Sequence, residues 1–130
     1  MLYLKLYLAG PMRGIEEYNF PAFRKAAREL RARGHTVFSP ADHDVKHDGF
    51  NPKTDAAKPL AHYMRYDLPA VCRSDAVVNL DGWEKSTGAC LENFTAAVCD
   101  IPSLSYPSLA RIEREAIFEA CRERLMKEAH

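Results

Sequence analysis

The sequence predicts an α/β protein: a mostly parallel sheet of four to five strands with helices on both faces. Three observations predict it. Short apolar or β-branched runs of strand length alternate with helical apolar stripes along the chain, and crossovers of that kind enforce parallel pairing. Two small-residue turns, Gly10 to Gly14 and Asp81 to Ser86, each follow a strand. Both therefore fall at the carboxyl ends of strands, where open α/β sheets bind ligands. Finally, the run Asp75 to Glu92 passes from a buried strand through a small-residue turn into a helix N-terminus, an arrangement whose free N–H groups and dipole favour an anion.

Each element has its own signal. Leu2 to Leu8 is an apolar run and the first strand; Ala9-Gly10-Pro11-Met12-Arg13-Gly14 is the turn after it. A helix runs from about Pro21 to Arg33. Proline suits its first turn, Phe23, Ala26, Ala27 and Leu30 form its stripe, and Gly34 ends it. Thr36-Val37-Phe38 is a short second strand. Ala41 to Pro59 is polar, lacks periodicity and reads as a long excursion of the kind that serves as a lid. A second helix holds Ala61, Met64, Leu68, Val71 and Cys72, with Pro69 expected to kink or restart it. Asp75 to Leu80 is the third strand, and a helix follows from about Thr87 to Cys99. Ile101 to Tyr106 is a fourth strand, with proline near its start. Pro107 is expected to open a last helix reaching about Glu128, with Leu109, Ile112, Ile117 and Leu125 in its stripe.

A length of 130 residues predicts one domain over 1–130 with a core that needs no staples. The 18 basic residues balance the 18 acidic ones, which argues against electrostatically driven nucleic-acid binding. Cys72, Cys90, Cys99 and Cys121 have neither zinc-knuckle nor Cys-x-x-Cys spacing and read as small buried hydrophobes in a reducing compartment. The N-terminal apolar run is too short to span a membrane, is broken by Lys5 and lacks a signal-peptide layout, so a cytoplasmic protein is expected.

Several side chains invite a chemical reading, each with a plain structural one beside it. Glu92 lies four residues after Gly88, so both share a helical face, and the missing side chain leaves space over the carboxylate. The alternative is a solvated helix residue. Ser86 or Thr87 caps the helix and is compatible with phosphate binding at the same spot. Asp67, just before a proline-restarted turn, reads locally as an N-cap, and Asp75 as a turn residue. Arg13 is either a phosphate clamp or a surface arginine. Tyr7 is of a type more often core than catalytic, and Trp83 either stacks on a base or serves as a lid or interface residue. His43 and His47 are four apart among Asp42, Asp44 and Asp48, but no ligand motif is complete, and no metal is expected.

Taken together, Tyr7 to Gly14, Tyr18 to Phe23, Ser39-Pro40-Ala41, Tyr63 to Leu68 and Gly82 to Ala89 with Glu92 resemble an uncharacterised family of small bacterial and phage proteins. The match runs from the first strand to about Tyr106. That family is similar in turn to the nucleoside 2-deoxyribosyltransferase superfamily. The nearest motif likeness is to the 2′-deoxynucleoside 5′-phosphate N-hydrolases. Their tyrosine-started first turn ending in Arg-Gly is matched by Tyr7 and Arg13-Gly14. Their aspartate eight residues before the Asp that opens strand three is matched by Asp67 before Asp75. Their Ser-x-Gly-x-x-x-Glu is matched by Ser86, Gly88 and Glu92.

The resemblance implies a Rossmann/flavodoxin-like three-layer sandwich of strand order 2-1-3-4. It implies cleavage of the N-glycosidic bond of a deoxynucleoside monophosphate through a covalent glutamate–sugar intermediate. Base exchange between deoxynucleosides is the alternative, and a nucleotide-binding sensor without chemistry is the rival from another class. Glu92 would be the nucleophile, Asp67 the proton donor to the base, and Tyr7 the residue orienting the nucleophile. Gly10, Met12, Arg13, Gly14, Ser86 and Gly88 would form the substrate and phosphate site, and Trp83 would stack on the base. The plain transferases carry an aspartate where this chain has Ser86, and serine favours a phosphate that an aspartate would repel. The two carboxyls are expected about 5 Å apart, as in retaining glycosidases. No cofactor and no metal are implied. The expected partners are a small-molecule nucleotide or nucleoside and a second copy of the chain in a homodimer, with no nucleic acid and no membrane. The superfamily completes its site from a neighbouring subunit, for which Ser103, Ser105 and Ser108 are the candidates here.

Overall fold

The computed structural model describes residues 2–128. Five strands form one sheet: β1 (Lys5–Ala9), β2 (Thr36–Phe38), β3 (Ala76–Asn79), β4 (Ser103–Ser105) and β5 (Arg111–Ile112). Their order is β2-β1-β3-β4-β5, with only the β4–β5 pair antiparallel. The expected 2-1-3-4 order is therefore found, with a short fifth strand added at one edge. Five helices cover the sheet: α1 (Phe20–Ala32), α2 (Pro40–Asp48), α3 (Leu60–Cys72), α4 (Thr87–Val98) and α5 (Arg114–Glu128). Among the described residues no helix is long and apolar enough to cross a membrane.

The period of two in β1 divides the core. Leu6 and Leu8 face one layer with Phe20, Phe23 and Leu30 of α1, and Tyr7 and Ala9 face the other with Val71, Cys90 and Ile117 of α3, α4 and α5. β3 divides the same way: Val78 joins the first layer and Val77 the second. Tyr7 is thus aimed at the α3–α4 layer by register alone. At the sheet's carboxyl end the loop after β1 passes close to β3. A Cβ on Gly10 would lie 2.9 Å from the Cβ of Leu80, so only glycine fits without a shift.

Three expectations are corrected. The segment after Ala41 is not all loop, because α2 occupies Pro40–Asp48, with Pro40 in its first turn and Gly49 closing it at φ +64°. Pro69 does not restart the second helix, since α3 continues through it to Cys72, and Asp67 is therefore an interior residue and not a cap. Pro107 does not open the last helix. Leu109 takes φ +61°, Ile112 pairs with Ser103 across the β4–β5 ladder, and α5 begins at Arg114. Among the cysteines, Cys90 and Cys121 are buried as expected, but Cys72 and Cys99 are exposed.

A buried amide network fixes α4 to the sheet. Asn93, fully buried, donates to Asn79 Oδ1 at 2.7 Å and to the Ala89 carbonyl at 2.8 Å; its own Oδ1 accepts from Asn79 and from Ser103 Oγ. Asn93→Ala leaves the Asn79 amide and the Ser103 hydroxyl without these partners. It is expected to cost about 2–4 kcal/mol, visible as a lower urea midpoint at unchanged m-value. Ser103 is committed to this network and buried, so it is not free to complete a neighbouring subunit's site.

Candidate active site

One cavity of about 650 Å³ opens at the carboxyl end of the sheet, between the loop after β1 and helices α2, α3 and α4. Helical spacing explains which side chains enter it. On α3, Leu60, Met64 and Asp67 line the wall along the face that continues into buried Val71. On α4, Gly88, Ala89 and Glu92 do the same, and Ser86 caps that helix, its Oγ accepting from the Ala89 N–H at 3.1 Å. On α2, Pro40 and Asp44 complete the ring.

At the floor, Tyr7 donates to Glu92 Oε2 at 2.6 Å, both groups being buried. Asp67 is 4% exposed, and its Oδ1 is buried without a hydrogen-bond partner. An unpaired polar atom in a buried position needs a reason, and a ligand group in the cavity would supply one. Burial is the first cause of every shift here. It raises Glu92 well above the usual carboxylate range, with the neighbouring Asp67 charge adding to the rise and the Tyr7 hydroxyl opposing it. It raises Asp67 to about 7, against a smaller lowering by Tyr7. Tyr7 itself is held well above its ordinary value by burial and by the two carboxylates, so it remains a hydrogen-bond donor at neutral pH. Glu92 and Asp67 titrate as a pair, and double ionisation of these two buried acids is disfavoured.

Asp44 is a third acid that sequence reasoning did not single out for this cavity. It is 5% exposed and raised to about 7 by burial and by Asp67 and Asp48, with Lys58 opposing. Its available signal was the Ser39-Pro40 start and Gly49 stop of a short helix, which set Asp44 one turn after buried Ala41.

The expected phosphate residues divide. Gly10, Met12, Arg13, Ser86 and Gly88 line the cavity. Arg13 is on the rim, donating to the Lys58 carbonyl at 2.6 Å with its guanidinium 6.0 Å from the Tyr63 ring centre. Gly14 turns the loop at φ +81° but does not reach the cavity wall. Gly88 leaves the expected gap: a Cβ there would meet Leu60 at 3.5 Å and Met64 at 3.7 Å, with no clash. Trp83 is the correction. It is buried in the core with Tyr7, Cys90 and Cys121 instead of lining the cavity, because the short helical turn at 83–85 folds it under α4, so no base stacks on it. Asp75 is structural and accepts the Lys5 N–H at 2.8 Å.

Beside the cavity, Glu17, Tyr18 and Asn19 take φ values of 53°, 52° and 62°, a left-handed turn that costs about 1–2 kcal/mol per residue. The Asn19 side chain donates to the Pro11 carbonyl at 2.9 Å, and the Tyr18 hydroxyl accepts from the Ala57 N–H at 3.2 Å. The strained turn is thereby tied to both loops at the cavity mouth, which fits the tendency of such strain to gather at ligand sites.

Comparison with known proteins places the architecture. A solved structure of a 2-deoxyribosyltransferase from the psychrotolerant bacterium Bacillus psychrosaccharolyticus is similar at a TM-score of 0.60 and 23% identity, covering 89% of this chain and 81% of that one. The fold is thus similar to that of a deoxyribosyltransferase. No curated protein matches the sequence. Residues 4–104, from β1 to β4, match the family described as a domain of unknown function, DUF4406, and the chain belongs to that family.

Proposed function

We propose that the protein cleaves the N-glycosidic bond of a 2′-deoxynucleoside 5′-monophosphate. The observation that carries this reading is the meeting of two buried carboxyls, Glu92 and Asp67, on one cavity floor around the Tyr7 hydroxyl. Breaking such a bond needs an anion to meet an oxocarbenium-like sugar and an acid to protonate the departing base. In the proposed step the Glu92 carboxylate bonds to C1′ as the C1′–N bond breaks. The electron pair leaves with the base, which takes its proton from Asp67. Water then loses a proton to Asp67 and attacks C1′, releasing deoxyribose 5-phosphate and regenerating Glu92. Tyr7, donating to Oε2, stabilises the Glu92 carboxylate and so opposes the burial that raises it.

Ser86 caps α4 and Glu92 lies six residues on, about 9 Å along the axis at 1.5 Å per residue. Helical side chains lean back toward the N-terminus, so the carboxylate and the helix start bracket a space suited to a pentose carrying a phosphate. Ser86 and Arg13 would hold that phosphate, and a pair of chains in a dimer would close the site. Incubating a panel of deoxynucleoside monophosphates with the protein is expected to release free base and deoxyribose 5-phosphate. Product that forms only when a second base is added would instead mark base exchange, and no product with any donor would refute the reading.

A further inference from the structure

We infer that Arg124, on the C-terminal helix, is an anion-binding residue of the cavity, and that Glu128 occupies its anion position when no ligand is bound. The inference deepens the proposed function and rests on its phosphorylated substrate. α5 lies wholly beyond the family match, which ends at residue 104. Its last turns nonetheless reach the cavity wall through Arg124 and Glu128.

Three groups meet there. Arg124 Nε donates to Thr87 Oγ1 at 3.1 Å, Thr87 Oγ1 donates to Glu128 Oε1 at 2.8 Å, and an Arg124 terminal nitrogen donates to the same Glu128 oxygen at 3.2 Å. Thr87 is the first residue of α4, next to the Ser86 cap, and Lys85 also lines the cavity beside them. A guanidinium and a hydroxyl meet one Glu128 oxygen beside the start of a 12-residue helix, with Lys85 also on the cavity wall, a set of groups suited to a phosphate. On the floor of the same cavity the buried Oδ1 of Asp67 has no hydrogen-bond partner, which points to a ligand filling the cavity.

Glu128 is held loosely. Its link to Arg124 spans four residues on one helix, with the two side chains 33% and 52% exposed, and pairs of that kind hold weakly. A phosphate dianion brings more charge and more acceptor oxygens and would displace it. The carboxylates on the floor and the cations at the start of α4 then give the cavity a polarity that orients a sugar phosphate.

The probe is deoxyribose 5-phosphate, titrated calorimetrically into the full chain, with deoxyribose as the uncharged control. Arg124→Ala is expected to weaken phosphate-dependent binding by about 10-fold or more, with Arg124→Lys between it and the parent. Glu128→Gln is expected to tighten it several-fold, which a purely structural role for the pair would not do. Thermal unfolding of each variant separates lost binding from lost folding, and Glu128→Gln stays informative if Arg124→Ala does not fold. No binding by the parent protein, or equal binding by the parent, Arg124→Ala and Glu128→Gln, would overturn the inference. The two proposals fail separately. Arg124-dependent binding without base release removes only the hydrolase reading. Base release with a KM for the monophosphate untouched by Arg124→Ala removes only this one.

Discussion

Glu92→Gln is expected to reduce base release from a deoxynucleoside monophosphate by about 10⁴-fold or more, the scale on which loss of a covalent nucleophile is felt. The amide keeps the shape, and its carbonyl still accepts from Tyr7, so the loss would be chemical and not structural. The same substitution is expected to raise the melting temperature at pH 8. Glu92 is an acid whose folded pKa lies well above its unfolded one, because burial and Asp67 penalise its charge. Such a group leaves stability intact below the unfolded value and erodes it as pH climbs toward the folded one. Glutamine has no charge to bury, so the gap between variant and parent should be small at pH 4 and widen toward pH 8. A floor that carries strain of this kind for the sake of chemistry is a familiar trade between stability and activity. Unfolding curves at the two pH values, beside a base-release assay, check both halves. A variant less stable at every pH would show that Glu92 is an ordinary structural acid.

How much of this was legible in the sequence depended on the kind of signal. The parallel sheet and its helical layers follow from strand-length apolar runs alternating with helical stripes, the strand order came from the motif resemblance, and the period of two in β1 sends Tyr7 to the α3–α4 layer. The convergence of Asp67 and Glu92 came from motif resemblance, because neither residue announces itself locally. Asp67 precedes a proline and looks like a cap, and only the continuation of α3 through Pro69 makes it an interior residue. Helix α2 was missed because its nine residues contain few apolar ones, so no stripe forms, while its proline start and glycine stop were outweighed by its polar composition. With it went Asp44. The β5 strand is two residues long, below the length at which a period of two is visible, and Pro107 is as good a helix opener as Pro21. Trp83 was misplaced for a different reason: adjacency in sequence to Ser86 says nothing about which side of a short helical turn the indole takes.

Asp67→Asn is expected to lower base release by about 10²–10⁴-fold, the usual worth of a positioned general acid. It should also abolish the alkaline limb of the pH profile. Asp67 is raised to about 7 chiefly by burial, so in the parent protein the fraction carrying a proton falls as pH rises through that value. An acid that has to protonate the leaving base loses activity over the same interval, and kcat should decline above about pH 7. The acid limb belongs to the pair's second proton, since the nucleophile is lost when both carboxyls are protonated, and the whole profile is a bell set by two shared protons. Asparagine cannot donate as an acid, so what remains of the rate should no longer fall on the alkaline side. The defect should also shrink with a leaving group that departs as a stable anion, such as a nitrophenolate in place of the base, because such a group needs no proton. A substitution that only disturbed packing would slow both substrates alike and leave the limb in place, so comparing the two leaving groups across pH separates proton donation from structural support.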